Sequence, residues 1–259
     1  MKNLLIAVSI LFILGLGPIE SLHSTKTNSK QPYLHKGAIS HHELAEHYYQ
    51  KLNLSSYIQF QAFKEAFLGY KSVNPLKNNI LTIIDFTLPS TEKRMVVVDM
   101  ENEKILQHTW VSHGRNSGEK WATTFSNKHG SFQSSLGFFL TEEPYMGSNG
   151  YSLRLQGLEK GINDQARARA IVIHGADYVS EATIKNTGRL GRSHGCPALP
   201  RELNKEIIDQ IKFGSLLYIY ANDSHYLANT TLLKEHQNIL LAERESENSS
   251  DSKASIKVL

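Results

Sequence analysis

The spacing of hydrophobic positions changes along the chain, and the changes mark out its elements. Leu44, Tyr48 and Leu52 recur at i, i+4 and i+8 behind Ser40-His41-His42-Glu43, which has the spacing of a capping box. Ser56-Tyr57-Ile58-Gln59 repeats that opening, and Phe60, Phe63 and Phe67 then share one face up to Gly69. Both stretches read as short helices of an N-terminal helical segment, residues 40–75, an appendage that ends near Asn74-Pro75. The aromatic stripe reads as core rather than a ligand groove, because large apolar groups at helical spacing usually serve burial.

From Ile80 the period shortens to that of strands. Ile80–Phe86, Arg94–Asp99 and Ile105–Val111 are rich in β-branched residues and are joined by short polar turns. Asp85, Asp99 and Glu101 fall at strand ends and turns, where carboxylates are ordinarily solvated, and receive no role. Residues 112–150 are punctuated by six glycines, and a long irregular stretch inside a compact domain is usually functional. Within and beyond it, Ser135–Leu140, Ser152–Leu155 and Ala170–Gly175 read as strands, the last ending in His174-Gly175. Pro200 opens a helix whose buried face is Leu203, Ile207, Ile208 and Ile211, closed by Gly214. Leu216–Tyr220 is the last strand, and residues 222–259 read as one helix, over about 226–242, and a disordered tail. Many short strands, few helices and no βαβ alternation predict a mainly β fold: a mostly antiparallel sandwich or open barrel with one or two peripheral helices.

At the N-terminus one lysine precedes the apolar run Leu4–Leu16, which Gly17-Pro18 ends. That length suits a signal-peptide core and is short for a bilayer span, so residues 1–21 read as a signal peptide, with an uncleaved inner-membrane anchor as the alternative. Residues 22–39 read as a polar linker, and the protein is expected to be exported to the periplasm or cell envelope. A net charge of +3 without a lysine or arginine run argues against a nucleic-acid partner.

Export changes the meaning of the single cysteine. Secreted chains use cysteine in pairs, so a lone thiol there is a candidate reactive group. Cys196 sits in Arg192-Ser193-His194-Gly195-Cys196-Pro197-Ala198-Leu199-Pro200, poor company for an inert core thiol. A free thiol titrates near pH 8.5 and needs a base or a cation to become a nucleophile. His174, aimed by a strand, and His194, two residues before Cys196, are both candidate bases; His174 is preferred because it approaches from another strand. Gly195 permits a turn closed to other residues, and the Gly195 and Cys196 amides are candidate oxyanion donors. Arg192, with Arg189 nearby, is a candidate for holding a substrate carboxylate.

These residues resemble a known family. His174-Gly175, followed by Ser193-His194-Gly195-Cys196, is similar to the signature of L,D-transpeptidases with a YkuD-type catalytic domain. Ser135-Leu136-Gly137-Phe138-Phe139, Tyr145-Met146-Gly147, Asn163, Arg169–Ala176, Gly191-Arg192-Ser193 and Gly195–Leu199 resemble one branch, the murein L,D-transpeptidase catalytic-domain group, over residues 78–221. The resemblance implies a β-rich, sandwich-like domain without metal or organic cofactor, whose partners are peptidoglycan stem peptides. It implies Cys196 as nucleophile, His174 as base, the Gly175 carbonyl as its orienting group and His194 on the oxyanion side. Arg192, Ser193, Gly195, Arg169 and Tyr145 are the expected substrate-binding residues. Acyl transfer from the meso-diaminopimelate carbonyl through a Cys196 thioester would make 3→3 crosslinks; water as acceptor would make the protein an L,D-carboxypeptidase or endopeptidase-type murein hydrolase. Pro197-Ala198 departs from the aliphatic residue and Arg or Asn of more familiar members, which leaves the acceptor open. A zinc site of His174, His194 and Cys196 is a weak rival, since one cysteine without a C-x-x-C partner is a poor zinc framework, and a wall-binding module with a dead site is another.

Overall fold

The strands foreseen from Ile80 onward, joined by a three-residue strand at Ala198–Pro200 that the hydrophobic pattern did not announce, assemble into a single eight-stranded sheet. They are β1 (Ile80–Asp85), β2 (Met95–Asp99), β3 (Lys104–Thr109), β4 (Gly137–Gly147), β5 (Gly150–Gly157), β6 (Val172–Ala176), β7 (Ala198–Pro200) and β8 (Leu216–Tyr220), in the order β3-β2-β1-β8-β4-β5-β6-β7. Neighbours are antiparallel except β1 with β8 and β6 with β7. Every residue of β1, β2, β6 and β8 is buried, which is why these strands read as continuous apolar runs rather than alternations. The computed structural model describes residues 40–73, 76–242 and 244–245. The expected leader and linker, the Asn74-Pro75 break and the tail past residue 245 lie outside the described residues.

Beyond β3 the chain turns onto the opposite edge of the sheet. The Ser112 N–H donates to Ala198 O (2.9 Å), the Ser193 N–H to His113 O (3.0 Å) and the Arg115 N–H to Ser193 O (2.8 Å). These bonds give edge groups partners and leave a nearly closed barrel, the second of the two architectures expected.

Helix α1 (His41–Lys51) starts as foreseen: the Ser40 hydroxyl accepts from the Glu43 amide, and the Glu43 carboxylate accepts from the Ser40 amide at 2.9 Å. Helix α2 (Phe60–Ser72) departs from expectation. It continues through Gly69, where a side chain would meet the Phe138 ring at 2.1 Å, so this glycine lets helix and strand approach rather than ending the helix. All its residues from Gln61 to Gly69 are buried, and they share one hydrophobic core with β1 and β8. The helical segment is therefore an integral layer of the domain, not an appendage.

Two helices border the site: α3 (Glu181–Thr187), which periodicity missed, and α4 (Arg201–Ile211), whose Ile207, Ile208 and Ile211 are buried as foreseen. The expected last helix is broken. α5 (Ser224–Asn229) stops at Thr230, whose hydroxyl donates to the buried Glu159 carboxylate; a 3₁₀ turn and helical residues 237–242 follow. Packing reaches farther than composition suggested, because Leu240 and Arg244 are both buried. Arg244 Nη2 pairs with Glu65 Oε1 of α2 at 2.6 Å, and the Tyr218 hydroxyl of β8 donates to Glu65 Oε2 at 2.6 Å. Among the described residues, no helix is long and apolar enough to cross a membrane.

Removing one member of a buried ion pair leaves the other charge without compensation. Arg244→Met is expected to lower stability by about 3–5 kcal/mol in urea denaturation. The double variant Glu65→Met/Arg244→Met should lose clearly less; an equal loss would show that the unpaired carboxylate is not the cause.

Candidate active site

The parallel pairing of β6 with β7 sets the geometry. His174 lies opposite Ala198 and Gly175 opposite Leu199. Side chains alternate along a strand, so His174 shares a face with Val172 and with Ala198, its partner on β7; Cys196 lies just before β7, with its sulfur against the Val172 amide. His174 and Cys196 both line a cleft of about 330 Å³, with Arg192, His194, Tyr178 and Arg201 among its other walls.

His174 is buried, and its Nδ1 lies 3.2 Å from Gly175 O. A carbonyl only accepts, so Nδ1 carries the proton and Nε2 presents its lone pair. Burial holds the imidazole below the usual histidine range, the Gly175 bond opposes this, and nearby Arg201 adds to it. Gly175 itself has no room for a side chain, because Asn204 of α4 would stand 3.0 Å from its Cβ.

Cys196 is only 9% exposed. Its thiol donates to Ala170 O (3.6 Å) and its sulfur accepts the Val172 N–H (3.5 Å). Burial pushes the thiol above its ordinary value, while the Val172 amide and the charge of Arg169 pull it back. Ala170 has φ 55°, a left-handed conformation unusual for alanine, and this is why the predicted strand begins at Val172 rather than Ala170.

The turn before Cys196 is tightly determined. Gly195 has φ 122°, and a Cβ there would come within 2.8 Å of Gln133 O. Its N–H donates to the Ser193 hydroxyl (3.0 Å), which in turn donates to Cys196 O (2.6 Å). Ser193, expected to bind substrate, thus has its hydroxyl engaged inside the turn and shapes it instead. His194 is exposed at the cleft and packs on Phe132 with ring centroids 4.7 Å apart.

The three other expected substrate contacts differ in placement. Arg192 lines the cleft, and its Nη1 donates to Arg115 O (2.9 Å), Gly118 O (3.1 Å) and Glu119 Oε1 (2.7 Å). Arg189 reaches the same carboxylate, Nε to Oε2, at 2.9 Å. Arg169 donates from Nη1 to Ser126 O and Ser135 Oγ, and from Nη2 to Ser131 Oγ and Gln133 O. These four bonds use all of its Nη hydrogens, so its fork grips the 126–135 loop and is not available to a substrate. Tyr145 on β4 aligns through Ser152 with His174, two strands away on the same face; it lies outside the lining of the cleft, beneath the Arg154 guanidinium (4.2 Å). Asn163, one of the sequence landmarks, is buried and donates to Leu136 O and Phe138 O, holding the entry to β4.

Sequence reasoning missed Tyr178, Asp177 and Arg201, which line the cleft and carry no motif. Tyr178 occupies the space that Gly191 leaves open, where a Cβ would lie 2.4 Å from the Tyr178 Cβ. Burial, reinforced by Cys196, pushes its phenol up to about 12, so it stays neutral. Arg201 pairs with Asp177 at 2.5 Å. Behind the cleft, His113 Nδ1 accepts from Arg94 Nη2 (2.8 Å), which leaves Nε2–H to donate to Gly118 O (3.2 Å). Among the described residues, no three His, Cys, Asp or Glu side chains gather as a metal site, and the zinc grouping of His174, His194 and Cys196 is not assembled.

Comparison with known proteins gives one family. A family model described as the L,D-transpeptidase catalytic domain matches residues 54–220, well over half the chain. No curated protein matches. The solved structures similar to this chain include an L,D-transpeptidase from Mycobacterium smegmatis, at 14% identity and TM-score 0.35, covering 55% of this chain and 59% of that one. L,D-transpeptidase 1 from Mycobacterium tuberculosis gives 13%, 0.32, 56% and 62%, and an L,D-transpeptidase from Xylanimonas cellulosilytica 15%, 0.33, 63% and 70%. The chain spans about three fifths of the length of the mycobacterial structures.

Burial, then Arg94, depresses His113 to about 3. Between that value and the ordinary histidine value of about 6.5, the unfolded chain binds a proton that the folded chain does not. The stability His113 contributes is therefore complete above about pH 6.5 and is lost as pH falls, by up to about 1.4 kcal/mol per pH unit. Chemical denaturation across that window should show the slope in the wild type and a smaller slope in His113→Gln.

Proposed function

The chain belongs to the L,D-transpeptidase catalytic domain family, and from that membership we propose that it is a cysteine-dependent acyltransferase acting on peptidoglycan stem peptides in the cell envelope. The observation that carries the proposal is that Cys196 and His174 line one cleft, with the Gly175 carbonyl fixing the imidazole tautomer that can accept a proton.

The thiol proton passes from its resting partner, Ala170 O, to His174 Nε2 as the sulfur attacks the carbonyl at the L-centre of meso-diaminopimelate. The Gly195 N–H is engaged with Ser193, so the oxyanion role falls to the Cys196 amide, with His194 beside it. The imidazolium then returns its proton to the departing D-alanine amine, leaving a thioester on Cys196. The side-chain amine of a second stem attacks the thioester, His174 takes up the proton, and a 3→3 crosslink forms as the thiol is released. Water in place of that amine gives L,D-carboxypeptidase or endopeptidase-type hydrolysis at the same site. Export through a signal peptide, or tethering by an uncleaved anchor, would bring the enzyme to this substrate.

Cys196→Ala is expected to abolish both crosslinked and trimmed products when the protein is incubated with disaccharide-tetrapeptide and the products are weighed by mass spectrometry; surviving dimer would falsify the assignment. Incubation in ¹⁸O-labelled water separates the two outcomes, since only hydrolysis carries the label into the product.

Glu119 occupies the Arg189–Arg192 pair at the rim of the cleft. A substrate carboxylate that uses those arginines must displace it. Glu119→Gln is therefore expected to lower KM for a stem with a free terminal carboxylate and to leave KM for the amidated stem unchanged. An equal effect on both would remove the arginine pair from substrate binding.

A further inference from the structure

We propose that Arg169 is the fixed counter-charge of the Cys196 thiolate, so that the charge partner of the sulfur is this guanidinium and not a protonated His174. The proposal deepens the reading of Cys196 as a nucleophile and rests on it.

Three features bring Arg169 to the turn beside Cys196. Arg169 directly precedes Ala170, and the two groups that touch the sulfur are Ala170 O and the Val172 amide, so one short turn carries both the cation and the sulfur's partners. The left-handed Ala170 is the bend in that turn. From the other side, a Cβ on Gly195 would lie 3.4 Å from Arg169 Nη2, so the guanidinium rests against the residue before Cys196.

The partners of Arg169 leave its charge uncompensated. Its four Nη hydrogens go to two carbonyls and two hydroxyls, none of them a carboxylate. A half-buried cation held only by neutral acceptors keeps its full charge in a site that screens it poorly, and a thiolate is the nearby anion that would balance it. Burial lowers the affinity of Arg169 for its proton, and Cys196 is the group that raises it again.

His174 is in the opposite position. Burial and then Arg201 disfavour its cationic form, even though the Gly175 carbonyl supports it. An imidazole in that setting suits transient proton relay better than a standing ion pair. The division of labour follows: Arg169 makes the thiolate accessible, and His174 carries the proton during acyl transfer. When the thiol ionises, its proton leaves to His174 or to solvent, while Arg169 keeps its own.

Cys196 is the only cysteine in the chain, so alkylation of the full-length protein by iodoacetamide reads this one sulfur. The rate should be followed from about pH 5 to about pH 10 to find the midpoint of thiolate formation in the wild type, Arg169→Gln, Arg169→Lys and His174→Asn, each checked for folding by near-ultraviolet circular dichroism. The expected result is an upward shift of about one to two pH units in Arg169→Gln, a midpoint within about half a unit of wild type in Arg169→Lys, and little change in His174→Asn. Lysine keeps the charge but cannot bridge four acceptors, so a purely structural role for Arg169 predicts the same shift in both Arg169 variants. That outcome, an unshifted Arg169→Gln, or a shift of a unit or more in His174→Asn would each overturn the proposal. A shift of a unit or more in His174→Asn overturns the proposal even if no Arg169 variant folds. Alkylation needs no muropeptide, so failure of the transpeptidase reading appears only in the product assay.

Discussion

The hydrogen bonds that carry residues 112–115 onto Ser193 and Ala198 are the constraint on which the site depends. They join the two edges of the sheet and hold the Ser193–Cys196 turn against β6 on one side and the returning chain on the other. A nucleophile on a free loop would lose its alignment with His174 at little cost. Here, displacing Cys196 would also break the seam of the barrel, so the chemistry and the closure of the fold are held by the same backbone groups.

Several charged side chains in and around the interior tie together distant parts of the chain. Arg94 reaches Val111 O, Leu88 O and His113, and the His113 carbonyl accepts from Ser193. Glu159 joins β4 to Tyr226 and Thr230 of the C-terminal segment. Glu65 joins α2 to β8 and to Arg244. Arg169 joins the 126–135 loop to the turn beneath Cys196. Removing one partner of such a contact costs more than the contact itself contributes, because the group left behind remains buried. The result is a site whose long loop is held by side-chain hydrogen bonds without regular secondary structure.

Much of the fold was legible in the amino-acid order. The positions of β1, β2, β6 and β8 followed from uninterrupted apolar runs, α1 from its capping box and α4 from three isoleucines at helical spacing. The errors share a cause. The N-terminal helical segment read as an appendage although its aromatic stripe read as core; Lys64 and Glu65, ordinarily solvent-facing types, are buried there as well. The last helix was drawn too long because nothing local announces that Thr230 will bond Glu159, about seventy residues earlier. Helix α3 and the three-residue β7 were too short to show a period.

At the site, residue types and their order alone determined that Cys196 was the one available thiol, that His174 lay on a buried strand and that Gly195 allowed the turn before the cysteine; the strand itself runs two residues past His174, to Ala176. Which groups surround the sulfur was decided only by tertiary structure. Hydrogen bonds turn Arg169 toward the 126–135 loop, the Ser193 hydroxyl closes the turn before Cys196, and Arg192 meets Glu119 beside the cleft. Sequence carries chemical identity and local periodicity, but charge pairing, burial and hydrogen-bond partners are set by segments brought together from far apart. A thiol's reactivity depends on those neighbours, so the candidate thiol could be picked out from the sequence while the groups that surround it could not.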